Sequence, residues 1–466
     1  MVTMTSAFQF PGKPFGTRSS LLSKCALTRG SSSTFLSAVT AEVEPEKYTF
    51  ESNVSRVMDI IINSLYSNKD VFIRELVSNA ADACDKKRFM SLTDGTVAEN
   101  MWIRVSADRE KNTLTIEDRG IGMNKEDLIR NLGKIAESGT KRFSEALGKD
   151  KKDAVSLIGQ FGVGFYSGFL VADKMTVITK GTEGIQHKWE ASANSLDSYT
   201  ITQDFSDPIE TTGTRIILSL KDESDQYLDD VALRALLEKY SEFIAFPIEL
   251  LREVSKPESV ADTSKPVDAD GTIPMKTVMK KVKEWSVVNT KKPLWLRSPK
   301  DCSEADYNEF YKQTFNAYDI PAAHSHFSVE GNVDFKSILY LPSEVPYELS
   351  RDMFAAAARS IRLYVKRVFI NDKFEDLIPR WLLFMRGVVD SDDLPLNVGR
   401  ESKKTCTSTP LRIFHLTTAS VVLQQSRALR IIRQRLVKKS IDMMSDLATR
   451  VTFFFPPRVN FSDDVK

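Results

Sequence analysis

The amino-acid sequence predicts an α+β protein in which two mixed blocks of helices and strands follow one another. Apolar residues between 54 and 65 recur at helical spacing, and the same spacing predicts a second helix over residues 70–88. Short stretches of alternating polar and apolar residues come next, which is typical of half-buried strands. A proline-rich, acidic segment then separates these elements from a second set.

The first block, assigned to residues 48–255, is expected to be a two-layer α/β sandwich. One antiparallel sheet should be covered by helices on a single face, because the alternation leaves the other face polar. Between the first two strands, residues 124–158 form a polar, helix-prone stretch interrupted by glycines. The predicted strands are 113–117, 174–179, 188–192, 198–202 and 214–220.

The second block is expected to be an α/β domain. Residues 256–274 contain three prolines and almost no large apolar side chain, so they predict an interdomain linker. Residues 275–466 then mix helical patterns with strand patterns such as IRLYVKRVFI at 361–370. The neighbouring His324 and His326 have no third metal ligand near them in the sequence, so structural or surface roles are expected.

Composition excludes several classes of protein. Lys and Arg total 64 against 63 Asp and Glu, so the net charge of +1 argues against a general nucleic-acid binder. The four cysteines are widely spaced and form no CxxC pair, which excludes a disulfide framework and a zinc finger. The sequence has no run of about 18 apolar residues, so no membrane-spanning helix is expected.

The first forty residues differ from the rest of the chain. They contain four basic residues, fourteen Ser or Thr residues and no Asp or Glu. A basic, hydroxyl-rich and acid-free leader is typical of an organellar transit peptide, here assigned to residues 1–47. A disordered tail is the alternative. The leader lacks a hydrophobic signal core, which disfavours secretion.

The second predicted helix carries a polar trio. Glu75, Asn79 and Asp82 are spaced by four and three residues, which places them on one helical face. A solvated polar face is the usual meaning of such a trio. Small residues surround Asn79, however, and they would allow a ligand to approach closely.

Three glycine-containing motifs follow that helix. Asp118 ends a predicted strand and opens the sequence DRGIG, where a carboxylate can accept a ligand hydrogen bond and glycines let the backbone approach. The sequence GQFGVGF at 159–165 precedes a helix-like run, and backbone N–H groups at such a point can bind phosphate. Gly213 and Thr214 begin the last predicted strand. Each motif alone is ambiguous, and the first is as consistent with a plain turn.

The motifs ExxxN, DxGxG, GxxGxG and GT, in this order, resemble the ATPase superfamily shared by gyrase, histidine kinases, mismatch-repair proteins and heat-shock protein 90. The phosphate-binding pattern GxxxxGK[ST] is absent. Within the superfamily, the stretches SLYSNKDVFIRELVSNAADACDK, NLGKIAESGTK and IGQFGVGFYSGFLVAD resemble the N-terminal domain of heat-shock protein 90. KPLWLRSP, YNEFYKQTF and GVVDSDDLPLNVGRE resemble its middle domain.

The resemblance implies an ATP-dependent chaperone that uses Mg²⁺. Glu75 would orient and deprotonate the attacking water, and Arg400 would reach the γ-phosphate. Asn79 would ligate Mg²⁺, while Asp118 would accept a hydrogen bond from the adenine amino group with help from Thr214 through water. The segment 124–158 would be a lid. The implied nucleotide contacts are Asn79, Asp82, Asp118, Gly122, Met123, Asn131, Gly162, Val163, Gly164, Phe165, Thr214 and Arg400.

Two function hypotheses stay open. The first is a chaperone that hydrolyses ATP to mature client proteins, and the alternative is an ATP-binding fragment without productive turnover. A histidine kinase or DNA-processing enzyme is disfavoured, because no recognisable phosphoacceptor domain or basic DNA-binding face is present. The stretch NVSRVMDIIINSLYSNKD is more similar to the plastid and endoplasmic-reticulum branches of the family than to the mitochondrial branch. A plastid is therefore the first choice of compartment and a mitochondrion the second.

The sequence also departs from the family. Arg119, Glu137 and Gly399 stand where the family usually has other residues. Residues 402–421 form an insertion without a family counterpart, placed directly after the motif that carries Arg400. The dimerisation domain through which the family forms homodimers is not recognisable, so a C-terminally truncated chain with impaired turnover is expected. Trp295 resembles a client-contact position, although a buried core tryptophan is an equal alternative.

Overall fold

The computed structural model describes residues 45–50, 68–95, 100–134, 140, 143, 158, 162–193, 195–261, 275–344, 361–371, 377–394 and 415–454. Residues 1–44 of the predicted leader, the predicted helix at 54–65, most of the predicted lid and Arg400 fall outside these ranges. The predicted leader boundary at residue 47 is wrong by two residues, because Glu46 and Lys47 already pair with Ile201 and Thr200 in the first strand (Glu46–Thr49). For the final helix, side chains are described only over residues 427–449.

Helices and strands both contribute extensively, which confirms the α+β prediction. The α-helices are α1 (Val71–Thr93), α2 (Lys125–Leu132), α3 (Asp230–Ser241), α4 (Glu304–Phe315) and α5 (His415–Phe454). Short 3₁₀ helices span Gly164–Leu170, Asp222–Leu228, Leu294–Leu296, Pro299–Asp301 and Arg380–Leu382.

Helix α1 is the predicted second helix, and it is the central buried element of the first block. Its length is favoured by alanine and by unbranched side chains, which have high helix propensity. The buried face packs on the sheet and on α3, and hydrophobic burial of roughly 2–3 kcal/mol per large side chain holds it there. Its fully buried apolar residues include Phe72, Ile73, Leu76, Val77 and Cys84.

The first sheet contains nine strands in the order β1-β6-β5-β4-β7-β3-β2-β8-β9. Its central strands alternate buried and half-exposed residues, as predicted. The strands are β1 (Glu46–Thr49), β2 (Ile103–Asp108), β3 (Thr113–Asp118), β4 (Ala172–Lys180), β5 (Gln186–Ser192), β6 (Ser195–Gln203), β7 (Gly213–Leu220), β8 (Ile248–Ala261) and β9 (Met275–Val287).

The prediction of a purely antiparallel sheet is wrong at one pair. Strands β2 and β8 are parallel, with Ile103 opposite Ile248. The chain leaves β7, passes through α3 and enters β8 in the same direction as β7. Such a crossover requires a helix-sized connection and gives parallel strands, whereas hairpins give antiparallel ones.

The predicted linker 256–274 begins inside a strand. β8 continues to Ala261, and β9 returns beside it as an antiparallel partner with Pro257 opposite Met279. Met275–Val287, assigned by sequence to the second domain, therefore forms the edge strand of the first sheet. Pro257 lacks an N–H donor, yet a strand near the sheet edge accommodates it. Residues 262–274 lie outside the described residues, so their role as a linker stays a prediction.

The second sheet has the order β10-β11-β14-β12-β13, with β12 and β14 parallel and the remaining pairs antiparallel. It lies beside the first block, and apolar side chains pack across the predicted domain boundary. The strands are β10 (Ala323–Val329), β11 (Phe335–Leu341), β12 (Ile361–Val365), β13 (Val368–Asn371) and β14 (Arg386–Asp390).

The stretch predicted as one strand at 361–370 is a hairpin. Lys366 and Arg367 form its two-residue turn with φ angles of 50° and 67°. Positive φ at both central positions is typical of a type I′ turn, which matches the twist of the flanking strands. Lys and Arg are not usual in such turns, so the sequence did not indicate a turn at this position.

Trp295 lies in the core, only 1% exposed. Its ring meets Phe243 edge-on at 4.6 Å between centroids and lies 5.2 Å from Tyr364. Its Nε1 donates a 2.9 Å hydrogen bond to Oδ2 of the buried Asp390. Of the two alternatives for Trp295, a client-contact position and a buried core tryptophan, the structure shows the core tryptophan.

Helix α5 begins at His415, inside the predicted insertion. The backbone of residues 415–421 is therefore continuous with the helix that follows the insertion, while residues 402–414 are not among those described. Over its described side chains, Ile432 and Leu436 are fully buried against the second sheet. In the part of the chain that the structure describes, no helix is long and apolar enough to cross a membrane.

Candidate functional site

The polar trio of α1 lies on one helical face, as predicted, but its members have different environments. Glu75 and Asn79 are half-buried, whereas Asp82 is only 1% exposed. Oε1 of Glu75 accepts hydrogen bonds from Nε and Nη2 of Arg74, at 3.0 and 2.7 Å. The Glu75 carboxylate is thus oriented by its neighbour and is accessible in part to solvent.

Gly164 lies directly against the Glu75 carboxylate. A Cβ at Gly164 would lie 2.7 Å from Oε2 of Glu75, so a larger residue would displace that carboxylate. Gly162, with φ of +65°, turns the chain into this position. The GxxGxG motif therefore meets the ExxxN motif in space. The helix it opens, Gly164–Leu170, is a 3₁₀ helix rather than an α-helix.

Asp82 has protein partners on both of its oxygens. Oδ1 accepts from the Ile158 N–H at 2.6 Å, and Oδ2 accepts from the Thr140 hydroxyl at 3.3 Å. Thr140 in turn accepts a 2.7 Å hydrogen bond from Nζ of Lys86. These contacts tie α1 to two points of the segment predicted as a lid. A contact between Asp82 and nucleotide stays a prediction.

Asp118 ends β3 and is almost buried, with 7% of its surface exposed. Burial raises the pKa of its carboxyl to about 7, although the Gly120 and Thr214 N–H groups act in the opposite direction. Oδ1 accepts from the Gly120 N–H at 2.9 Å. A buried acceptor of this kind can bind a ligand donor strongly, because little solvent competes.

The loop after Asp118 docks on α1 through glycine. A Cβ at Gly120 would lie 2.6 Å from the Ala83 Cβ, so the loop can approach the helix only without a side chain there. The Ile121 N–H then donates to the Ala83 carbonyl at 3.1 Å. Gly122 has φ of +67°, and a Cβ there would lie 1.9 Å from the Lys180 carbonyl oxygen.

A row of three side chains crosses neighbouring strands at this end of the sheet. Asp118 on β3 is opposite Thr214 on β7, and Thr214 is opposite Thr179 on β4. The hydroxyls of Thr179 and Thr214 are 3.0 Å apart. Thr179 also contacts the Gly213 carbonyl and the Met123 N–H, each at 3.0 Å. The motifs DxGxG and GT are thus joined through Thr179.

Two residues that the sequence did not indicate contact the candidate site: Thr179 contacts Thr214 directly, and Lys86 is linked to Asp82 through Thr140. In the strand pattern Thr179 is one alternating residue among many, and only the cross-strand register shows its importance. Lys86 lies one turn beyond Asp82 on α1. Burial lowers the pKa of its ammonium group, while Asp82 and Asp118 act in the opposite direction. A cation in this setting suits a phosphate-bearing ligand.

The remaining predicted contacts are placed as follows. Asn131, on α2, and Val163 and Phe165, in the glycine motif, are half-buried. The Tyr166 hydroxyl donates to the Leu132 carbonyl at 2.8 Å, which joins the glycine motif to α2. Arg400 lies outside the described residues, so its approach to the site stays a prediction.

A cleft of about 550 Å³ lies elsewhere, along α5. It is lined only by residues of that one helix, so it is open helix surface rather than a pocket between elements. None of its residues belongs to the motifs, and it lacks their convergent polar groups. The lining residues are Arg430, Arg433, Gln434, Val437, Lys438, Ile441 and Asp442.

Comparisons with known proteins agree with this geometry. The family described as "Histidine kinase-, DNA gyrase B-, and HSP90-like ATPase" matches residues 56–225, and the family described as "Hsp90 protein" matches residues 226–409. The first match contains all motifs of the site except Arg400, and the second contains the second sheet.

Three relatives from Arabidopsis thaliana illustrate the similarity. The chain is 44% identical to "Heat shock protein 90-6, mitochondrial" over 86% of its length and 49% of the relative's. It is 43% identical to "Heat shock protein 90-5, chloroplastic", over 88% of this chain and 51% of the relative. It is also 43% identical to "Endoplasmin homolog", over 89% and 51%. The chain spans about half the length of the curated relatives it matches.

Adjacent matches to the ATPase domain and to the heat-shock protein 90 domain together cover most of the chain. The site residues of the ATPase motifs also converge in the structure. This chain belongs to the heat-shock protein 90 family.

Proposed function

We propose that this chain binds ATP at the site between α1, the DxGxG loop and the row Asp118–Thr214–Thr179. The observation that carries the proposal is this row. The Asp118 carboxylate and the Thr214 hydroxyl are nearly buried there, next to the place where Gly120 lets the loop pack closely on α1. A buried acceptor suits the amino group of adenine. The half-buried Asn79 and the backbone at Gly162–Phe165 are then available to the phosphates.

Magnesium would be held with few protein ligands. Among the described residues, no group of three or more His, Cys, Asp or Glu side chains could hold a metal ion. Mg²⁺ bound with nucleotide needs only one or two protein oxygens, since phosphates and waters complete its octahedron. The Asn79 amide oxygen, one helical turn from Glu75, fits that requirement. Magnesium bound there would neutralise charge on the phosphates.

ATP hydrolysis is the proposed reaction. Glu75 would orient the attacking water and take its proton, because its carboxylate is accessible and lies against Gly164. Arg400 is proposed to reach the γ-phosphate from the second domain. In the family's cycle this reaction would drive the folding and maturation of client proteins, so the partners proposed are unfolded or partly folded proteins and a second copy of the chain.

A second candidate is nucleotide binding without productive turnover. It is favoured by one contact, the ion pair of Glu75 with Arg74, which occupies one carboxylate oxygen at 2.7 Å. If the pair persists with ATP bound, the carboxylate is a weaker base for water. The insertion at 402–421, directly after Arg400, supports the same candidate.

Calorimetric titration of the full chain with ADP and ATP tests binding, and release of phosphate under single-turnover conditions tests hydrolysis. We expect ADP binding that is lost in Asp118→Asn, because an amide can present a donor to the adenine amino group. Normal binding by Asp118→Asn would place the pocket elsewhere. Binding without phosphate release would favour the second candidate.

The proposed location is an organelle, with a plastid first and a mitochondrion second. The acid-free, hydroxyl-rich leader supports a transit peptide, and the matched relatives carry mitochondrial and chloroplastic names. A fluorescent reporter fused to residues 1–47 tests this, and a diffuse cytosolic signal would contradict both choices.

A further inference from the structure

We propose that Thr179 is a specificity-determining positioning residue, which holds the Thr214 hydroxyl as a hydrogen-bond acceptor so that the site selects a purine with a 6-amino donor over one with a 6-oxo acceptor. The inference rests on the proposed nucleotide site. It concerns a side chain that lies behind the proposed contacts and acts only through Thr214.

The hydroxyl of Thr179 has three hydrogen-bonding partners within the protein. The residue is fully buried, at 0% exposure. Its Oγ1 is 3.0 Å from each of three atoms: the Met123 N, the Gly213 carbonyl oxygen and Oγ1 of Thr214. A hydroxyl offers one proton and two acceptor lone pairs, so three partners use its whole capacity.

Two of these partners have fixed roles. The Met123 N–H can only donate, so Thr179 accepts from it. The Gly213 carbonyl can only accept, and the single Thr179 proton is assigned to this 3.0 Å contact. The contact with Thr214 then has no proton from the Thr179 side. By geometry either hydroxyl can donate in the Thr179–Thr214 contact. With the Thr179 proton on the carbonyl, Thr214 is the donor, and its own proton points away from Asp118 towards β4.

Thr214 therefore presents only lone pairs to anything else in the site. Asp118, its cross-strand neighbour on β3, also accepts when it is ionised. A water held between the two would give one proton to each and would offer the ligand only its own lone pairs. Whether the ligand contacts Asp118 and Thr214 directly or through such a water, it meets only acceptors and must therefore donate the hydrogen bond. The amino group of adenine satisfies it, whereas the carbonyl of hypoxanthine meets a third acceptor.

Loss of the Thr179 hydroxyl releases this constraint. In Thr179→Val the Thr214 hydroxyl can rotate and donate to a 6-oxo group. The Met123 N–H and the Gly213 carbonyl lose a partner as well, which can weaken binding in general. That general loss affects adenine and hypoxanthine nucleotides alike, so the ratio of their affinities isolates the specificity effect.

The experiment is calorimetric titration of the full chain with ADP and with inosine 5′-diphosphate at pH 8, above the pKa of about 7 of Asp118, so that its carboxyl is ionised and accepts. The wild type should prefer ADP, and Thr179→Val should reduce that preference by roughly three- to tenfold, since one neutral hydrogen bond is at stake. Thr179→Ser keeps the hydroxyl and should retain the wild-type preference. If Thr179→Val does not fold, Thr179→Ala carries the same test.

Thr214→Val supplies a second, independent check. It should reduce the preference by a similar factor, and the double variant should reduce it no further, because both changes remove one constraint. An unchanged ratio in Thr179→Val, or additive effects of the two changes, would overturn the inference while leaving ADP binding in place. If the wild type binds neither nucleotide, the proposed function itself fails.

Discussion

At the scale of single residues, the site depends on groups whose surroundings set their protonation and their direction. Asp118 is the clearest case, because burial raises the pKa of its carboxyl to about 7, near physiological pH. In the nucleotide-free protein this carboxyl is therefore mostly neutral below about pH 7 and mostly ionised above it. Stability that depends on Asp118 is therefore complete below its ordinary pKa of 3.8 and is lost as the pH rises through about 7.

Nucleotide binding should shift this balance. A ligand amino group favours the ionised carboxylate, so binding lowers the pKa of Asp118 and releases protons near pH 7. ADP affinity should consequently fall as the pH drops from about 8 to 6. Calorimetry in buffers of different ionisation enthalpy measures the released protons.

Asp85 provides the control for this pH prediction. Burial raises the pKa of its carboxyl to about 6, with Arg88 acting in the opposite direction. Asp85 lies on the same helix but outside the motifs. Asp85→Asn should leave the proton release unchanged. An ADP affinity that does not vary between pH 6 and pH 8 would contradict the role of Asp118.

At the scale of elements, α1 carries two residues one helical turn apart that should separate binding from chemistry. Asn79→Ala should lose nucleotide binding, because the amide acts on the bound ground state through Mg²⁺. Glu75→Ala should keep binding and lose hydrolysis by roughly 10²–10⁴-fold, the usual contribution of a general base. Titration and single-turnover kinetics on the same preparations measure the two effects.

The control is Glu238→Ala, which removes the glutamate of another Arg–Glu pair, that with Arg234 on α3. Both binding and hydrolysis should survive that change. Equal ATP affinity in Asn79→Ala and the wild type would refute the assignment of Asn79. Undiminished hydrolysis in Glu75→Ala would do the same for Glu75.

A glycine in the loop after β3 can be compared with a glycine in the turn between β4 and β5. Gly122 and Gly184 both have positive φ, at 67° and 78°, but only Gly122 would direct a Cβ into a neighbour. Gly184→Ala should cost about 1–2 kcal/mol of unfolding free energy through backbone strain alone. Gly122→Ala should cost about 1–3 kcal/mol more, through overpacking against Lys180, and should weaken ADP binding.

Urea unfolding of both variants measures the difference. Similar losses in the two variants would show that close packing of the loop contributes little. A normal ADP affinity in Gly122→Ala would show that the loop adjusts without disturbing Asp118.

Much of the elements' order could be predicted from the sequence, because alternation and helical spacing are local properties. The strands β3 to β7 and helix α1 follow from that local pattern. The parallel pairing of β2 with β8 does not, since strand partners are chosen by tertiary packing. The turn at Lys366 also lacked its usual residues. Thr179 was missed because its role exists only in the register of β4 with β7.

At the scale of the whole molecule, the two sheets share a core through Trp295. Its indole N–H donates to Asp390, whose carboxyl is buried at the end of β14 with a pKa raised to about 6 by burial. The aromatic contacts with Phe243 and Tyr364 join the end of the first block to the second sheet. The contact with Phe243 therefore couples the blocks by packing, while the buried hydrogen bond to Asp390 holds the indole in place within the second block.

Trp295→Phe should destabilise the chain more than Trp189→Phe. Both indoles are almost fully buried, so the lost volume is the same, but Nε1 of Trp189 has no hydrogen-bond partner among the described residues. Trp295→Phe leaves the Asp390 carboxyl without its donor, which should add about 1–3 kcal/mol to the cost at pH 8. Urea unfolding at pH 8 measures both.

The excess cost of Trp295→Phe should shrink as the pH falls through about 6, because a neutral Asp390 carboxyl loses less with the donor. Equal losses for the two tryptophan variants at pH 8 would contradict the importance of the buried bond.

The parallel pairing of β2 with β8 also affects folding during synthesis on the ribosome. The residues joined by the Arg104–Glu249 ion pair are 145 positions apart, so β2 emerges long before its partner. At about 5–20 residues per second, the interval is on the order of ten seconds. During this interval the N–H and C=O groups on the free edge of β2 are unpaired and can bond to a strand of another chain, which is an aggregation hazard. A fragment cut at residue 225, where the ATPase-domain match ends, would keep that edge open permanently.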